Sequence, residues 1–441
     1  MRIDHINVSN FKGFLQREFS LHPEFNLIVG TNGTGKTSAL DALSVAIGSW
    51  FLGVRGADSR HIRATEVQLA RFTEGLVGSS IADAEVRWER MYPCQIVARG
   101  EVQSRKITWK RALNAPNGRT TYGEAVSIKR LAAEADKAIR AGGDSSLPLI
   151  SYYGTGRLWQ EPRESFQVSN PEAVTSKDEQ SRLAGYWNSV DPRLSVGQFT
   201  RWIARQSWIA YQQGGRSSLA YRTVIDAIVR CIEGAQSLRF DASLGEVVVE
   251  FEHGIQPFSN LSDGQRCMLA MIGDLAQKAA KLNPHLGGRV LAEVKGVVLI
   301  DELDLHLHPR WQRRVIEDLR TTFPKIQFVC TTHSPFLIQS LRSGEELIML
   351  DGVPAAEVSN MSIEQIAEGI QGVESSRVSE RYAEMKEVAK EYLSLLDSSR
   401  REPIDRSVDV RARLAAKISP YADNPAFQAF LEMQRVATLK E

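Results

Sequence analysis

Phe25-Asn26-Leu27-Ile28-Val29-Gly30-Thr31-Asn32-Gly33-Thr34-Gly35-Lys36-Thr37-Ser38 decides the fold. An apolar run of strand character leads into Gly30–Thr37, which fits GxxxxGK[ST]. From Ser38 to about Ile47 the residues Leu40, Leu43 and Ile47 recur at helical spacing. Strand, glycine-rich loop and helix, in that order, are what a phosphate site requires. The glycines let backbone N–H groups curl around phosphates, Lys36 supplies a point charge, and the Thr37 hydroxyl helps hold Mg²⁺. Asn32, Gly33, Thr34, Gly35, Lys36, Thr37 and Ser38 are therefore the expected nucleotide contacts. A structural glycine turn is the competing reading, and the flanking strand and helix weigh against it.

Outward from this loop, Ile3, Ile6 and Val8 form an apolar pattern that breaks at Asn10. Two further apolar blocks, Val297–Ile300 before Asp301-Glu302 and Ile326–Cys330 before Thr331-Thr332-His333, read as short parallel strands buried on both faces. Acids that end an apolar strand are poor surface decoration. Asp301 is expected to reach Mg²⁺ directly or through water, and Glu302 to polarise an attacking water. Alternating segments at Ala84–Glu89 and Lys106–Lys110 suggest an antiparallel group. Leu147–Tyr153 reads as a strand returning to the main sheet, and Phe199, Trp202 and Ile209 mark one helix face.

These patterns predict an α/β chain, a P-loop head with a mixed sheet flanked by helices. Residues 1–50 and 245–360 form the expected core and 51–244 a lateral insertion with an antiparallel strand group and helices. Residues 361–441 form a helical C-terminal domain, on the spacing of Val378, Tyr382, Met385, Val388, Tyr392 and Leu395 and a shorter stripe at Phe427, Phe430 and Leu431.

Composition sets the bounds. Lys+Arg 54 against Asp+Glu 53 leaves a net charge of +1, so no whole-molecule field draws the chain to nucleic acid or an anionic membrane. Cys94, Cys231, Cys267 and Cys330 form no CxxC pair and read as buried thiols. No stretch approaches the roughly 18 apolar residues of a membrane span. The opening has no basic and apolar leader pattern, and a cytoplasmic protein without membrane contact is expected.

Leu261-Ser262-Asp263-Gly264-Gln265 resembles the ABC signature that opens a helix, and it precedes the Asp301-Glu302 strand at family spacing. Alone it would equally suit a turn and helix cap. The resemblance implies an ATPase using ATP and Mg²⁺, in which Ser262, Gly264 and Gln265 cover the γ-phosphate bound by a second copy. It also implies that His333 is a γ-phosphate switch and that Asp304 lies in a D-loop at the dimer seam. Either Gln160 or Arg157 stands near the place of the family's Q-loop glutamine. His306 and His308 have metal-like spacing but no third ligand nearby, so packing is the favoured reading.

The stretch from Thr37 to Leu261 is too long for a transporter ATPase and lacks the heptads of long SMC coiled coils. The opening Ile6–Phe14 resembles RecF-like and SMC-like heads. The runs Asp301–Pro309 and Tyr152–Trp159 look like the compact ATPases of bacterial defence islands. The chain is similar to the ATPase subunit of the Septu system and of Septu-like retrons. That resemblance implies a head-to-tail ATP dimer or a larger even assembly, and regulation of a separate effector nuclease, HNH in type, against phage. Nucleic acid stays open as a partner. After Asn360 no acidic cluster of Toprim type follows. The alternative is a RecF-like repair ATPase acting directly on DNA.

Overall fold

The computed structural model describes residues 1–74, 85–157, 181–194, 196–351, 360–373 and 380–399, with Phe427, Ala429, Phe430, Leu431, Met433 and Val436. It divides into two compact units, Met1–Ile363 and Glu364–Glu441.

The first unit is built on a parallel sheet. Its strands are β3 (Phe25–Val29), β8 (Leu149–Tyr153), β12 (Gly296–Ile300), β13 (Ile326–Thr331) and β14 (Leu347–Met349), in the order β14-β3-β13-β12-β8. Every residue of β3, β8, β12 and β13 is buried, which is why these segments read as nearly continuous apolar runs, interrupted only by the buried Asn26, Ser151, Gln327 and Thr331. Their parallel registers bring the carboxyl ends of β3, β8, β12 and β13 to one edge, where open α/β sheets bind ligands.

A separate antiparallel sheet holds β1 (Arg2–Phe11), β2 (Phe14–Ser20), β6 (Cys94–Val102) and β7 (Arg105–Leu113) in the order β2-β1-β6-β7. Along β6 burial alternates, with Cys94, Ile96, Ala98 and Val102 turned inward. A hairpin of β4 (Leu69–Glu74) and β5 (Glu85–Arg90) and a three-stranded group of β9 (Ala235–Asp241), β10 (Glu246–Phe251) and β11 (Gly254–Pro257) complete the strands. The mixed character expected from sequence is thus shared between a parallel and several antiparallel sheets.

Helices α1 (Lys36–Ile47), α2 (Val126–Arg140), α3 (Val196–Gln212), α4 (Leu219–Cys231) and α5 (Asp263–Leu282) pack on these sheets. Trp109 of β7 donates its indole N–H to the carbonyl of Ala46 at 3.0 Å, tying the antiparallel sheet to the end of α1. Two adjacent tyrosines of β8 reach in different directions. Tyr152 donates to Asp41 of α1 at 3.3 Å, and Tyr153 donates to Asp274 of α5 at 2.5 Å. Lys278, one turn beyond, pairs with the same Asp274 carboxylate at 2.8 Å. The phosphate-loop helix and the signature helix are therefore anchored to one strand.

All four cysteines are buried and free. Burial pushes the Cys94 thiol up to about 12 and the Cys231 thiol up to about 11. On α3 the buried face is Phe199, Ile203 and Ala210, while Trp202 and Ile209 are half-buried. No helix among the described residues is long and apolar enough to cross a membrane.

The helix Ile363–Gly369 begins at the boundary residue, and Glu380–Ser399 of the second unit is helical. Ile366, Tyr392 and Leu431 are buried, whereas Tyr382 and Phe430 are about half exposed. Val378 and the Leu395 side chain lie outside the described residues.

Candidate functional site at the carboxyl edge of the parallel sheet

The loop Gly30–Gly35 leaves β3 and enters α1 through Gly35, whose φ of 102° is a conformation that side chains rarely adopt. Gly33 is also left-handed, at 87°. Lys36 is turned inward and only 9% exposed; its ammonium donates to the carbonyls of Gly30 at 2.7 Å and Thr31 at 3.0 Å. Burial lowers the Lys36 pKa, opposed by the nearby carboxylates of Asp351, Asp301, Glu302 and Asp304. Asn32, Gly33 and Thr37 are exposed, and Thr34 and Ser38 half-buried, on the solvent side of the loop.

Asp301, at the end of β12, is 3% exposed. Its Oδ2 accepts from the Thr37 hydroxyl at 2.9 Å and its Oδ1 from the Thr331 hydroxyl at 2.6 Å. Two strand ends and the first turn of α1 thus meet on one carboxylate. The donor set fits Mg²⁺, which takes one or two protein oxygens and completes its shell with water and phosphate. Thr37 Oγ1 and Asp301 Oδ2 would hold it. No group of three or more His, Cys, Asp or Glu able to bind a metal occurs among the described residues. His308 caps the helix Pro309–Gln312, its Nδ1 accepting from Arg310 N at 3.3 Å.

Glu302 has φ 47°, left-handed for a residue with a side chain. Both flanking peptide groups are held. Glu302 N donates to Thr331 Oγ1 at 2.7 Å, and its carbonyl accepts from Leu305 N at 3.0 Å. Thr332 Oγ1 donates to Asp304 Oδ1 at 2.6 Å, and His333, exposed, follows at the end of β13. The Thr331-Thr332 pair carries more of this geometry than sequence reasoning credited. The signal was present: two successive hydroxyls, one ending and one following a strand otherwise made of apolar residues and one glutamine.

Ser262 caps α5 at its N-terminus. Its hydroxyl accepts from Gln265 N at 3.3 Å, and Gln265 Oε1 accepts from Ser262 N at 3.0 Å, a reciprocal capping box. Ser262 is exposed. Gly264 is buried against the 304–307 loop, since a Cβ there would stand 2.4 Å from the His306 carbonyl oxygen. The signature therefore abuts the loop that carries Asp304, while the Gly30–Ser38 loop bonds to Asp301 and Asp351.

Asp351 went unnoticed in the sequence because its place depends on β14 pairing with β3. Its Oδ2 accepts from Thr31 N at 2.9 Å and Thr31 Oγ1 at 2.7 Å. Those bonds hold the carboxyl below the usual carboxylate range. Arg157 lies just past the end of β8. It is 1% exposed, and its guanidinium donates to the carbonyls of Gly154 and Asp301 at 3.0 and 2.7 Å, to that of Glu302 at 3.0 Å and to Cys267 Sγ at 3.0 Å. Its donors are thus turned to backbone carbonyls and a thiol. Gln160 lies outside the described residues.

A phosphate loop, a strand-end acid pair and a capped signature helix around one sheet edge define a P-loop ATPase of ABC type. The chain belongs to the family described as "AAA domain, putative AbiEii toxin, Type IV TA system", whose profile matches residues 119–339. A second profile, "AAA domain", matches residues 5–196. Among curated proteins it is similar to the retron Ec83 probable ATPase of Escherichia coli, 23% identical over 80% of this chain and 72% of the relative. The retron Vc95 probable ATPase of Vibrio cholerae is 22% identical over 78% and 72%. The Septu protein PtuA of Bacillus mycoides is 26% identical over 62% of this chain and 35% of its own. Among solved structures, the SMC head domain of Thermotoga maritima overlaps 80% of this chain and 96% of its own at 15% identity and TM-score 0.39. An Smc head bound to the C-winged helix domain of ScpA gives 81%, 96%, 15% and 0.43.

Proposed function

We propose that the chain binds ATP with Mg²⁺, dimerises head to tail around it, and controls a separate effector nuclease, HNH in type, in bacterial anti-phage defence. The observation that carries the reading is the meeting of Lys36, Thr37, Asp301 and Glu302 at one sheet edge, with an exposed Ser262 on another element. Similarity to retron and Septu proteins supports the defence setting.

In this account Lys36 leaves the Gly30 and Thr31 carbonyls for the β- and γ-phosphates, and the N–H groups of Gly33 to Thr37 line them. Asn32 and Ser38 complete the phosphate cradle. Bound Mg²⁺, held by Thr37 and Asp301, would neutralise phosphate charge. The Glu302 carboxylate orients a water and accepts its proton as oxygen adds to the γ-phosphorus and the bond to the bridging oxygen breaks, giving ADP and phosphate. His333 senses the γ-phosphate, Asp304 lies at the seam, and Ser262, Gly264 and Gln265 of the second copy close the site.

Phosphate release from ATP tests the chemistry. Glu302→Gln is expected to slow it by about 10²-fold or more while ATP still binds, since general-base contributions are of that order. Unchanged turnover would remove Glu302 from the role.

One surface favours the second reading, direct action on DNA. Arg201, Arg205 and Trp208 share a helical stripe of α3, and Tyr211, 76% exposed, stacks on Trp208 with ring centroids 5.8 Å apart. Arginines beside exposed rings suit single-stranded nucleic acid. Salt-sensitive, ATP-dependent DNA binding by the lone protein, lost in Trp208→Ala, would move the reading there.

A further inference from the structure

We infer that Arg157 is a positioning residue for hydrolysis, fixing the strained turn that aims Glu302 and joining that turn to the signature helix; this rests on the function proposed above.

A non-glycine residue at φ 47° is intrinsically disfavoured and persists only where its surroundings over-determine it. The carbonyls of both Asp301 and Glu302 accept from one guanidinium, at 2.7 and 3.0 Å. A planar fork with fixed donor directions suits two successive carbonyls, whereas an ammonium is a single point donor. The third arm of the fork reaches Cys267 Sγ, on the helix that Ser262 caps. The remaining bond, to Gly154, closes the turn after β8, and Asp301 N donates to the Tyr153 carbonyl at 2.8 Å. Arg157 therefore touches three elements: the end of β8, the strand-end acids and the signature helix. A shift of the signature helix on dimerisation would be transmitted to the peptide groups on either side of Glu302. Arg157 itself, buried behind those carbonyls, makes no contact with substrate in this account.

The test is steady-state ATP hydrolysis by Arg157→Met and Arg157→Lys beside wild type and Glu302→Gln, with fluorescent ATP-analogue binding measured on each. Arg157→Met is expected to lower kcat by about ten- to a hundredfold, the scale of a misplaced catalytic group. KM and analogue affinity should stay within about twofold. Arg157→Lys should recover part of kcat, and Arg157→Met with Glu302→Gln should be no slower than Glu302→Gln alone. A merely structural role would weaken nucleotide binding and kcat together, with a multiplicative double variant, and that result overturns the inference. So does an unchanged kcat in Arg157→Met. If Arg157→Met does not fold, Arg157→Lys and Cys267→Ala carry the test: each should lower kcat at constant KM, and wild-type kcat in both overturns it. Should Glu302→Gln itself hydrolyse ATP at the wild-type rate, the failure belongs to the proposed function.

Discussion

Residues at the site divide into those whose chemistry is visible one at a time and those whose meaning depends on a distant neighbour. Lys36, Thr37, Asp301 and Glu302 belong to the first kind. A phosphate loop needs glycine, lysine and a hydroxyl at fixed spacing, and an acid pair ending an apolar strand is costly without a use. Asp351 belongs to the second kind, since only the pairing of β14 with β3 brings it to Thr31. Its folded pKa lies below the ordinary value, so its stabilising contribution is present above the unfolded pKa of about 3.9 and is lost as pH falls through the lower folded value. Asp351→Asn should melt below wild type at pH 7, and the gap should close as pH falls below about 4. Thermal melts of both proteins from pH 3 to 7 check this, and a gap independent of pH would contradict it.

At the scale of elements, the strands that carry motifs were legible because burial on both faces leaves a nearly continuous apolar run, as in β3, β12 and β13. Arg157 was legible only as a candidate of another kind, because its role arises from β8 lying beside β12 and from α5 packing on β8, where Cys267 meets the guanidinium. The segment 51–244, read as a lateral insertion, supplies β6 and β7 to the sheet of β1 and β8 to the parallel sheet. Those pairings are long-range, and local alternation does not specify a partner. The α5 end is tightly specified: Ser262 and Gln265 form a local capping box, and Gly264 lets the helix meet the 304–307 loop. Gly264→Ala should therefore destabilise the protein by about 1–3 kcal/mol, the usual cost of overpacking, because the obstructing atom is a backbone oxygen at 2.4 Å. Denaturant unfolding measures it. Wild-type stability would mean that the 304–307 loop yields freely.

For the whole molecule, a net charge of +1 leaves association to local complementarity. Ser262 is exposed at the start of α5, while the phosphate loop makes its bonds to Asp301 and Asp351. The account's central claim is that each nucleotide site is completed by a second copy. The most direct measurement is the solution mass of Glu302→Gln with and without ATP and Mg²⁺, alongside Ser262→Arg in the same background. The account predicts a doubling or larger even multiple of mass that depends on ATP and disappears with Ser262→Arg. A mass unchanged by ATP, or an ATP-dependent assembly indifferent to Ser262→Arg, would contradict it.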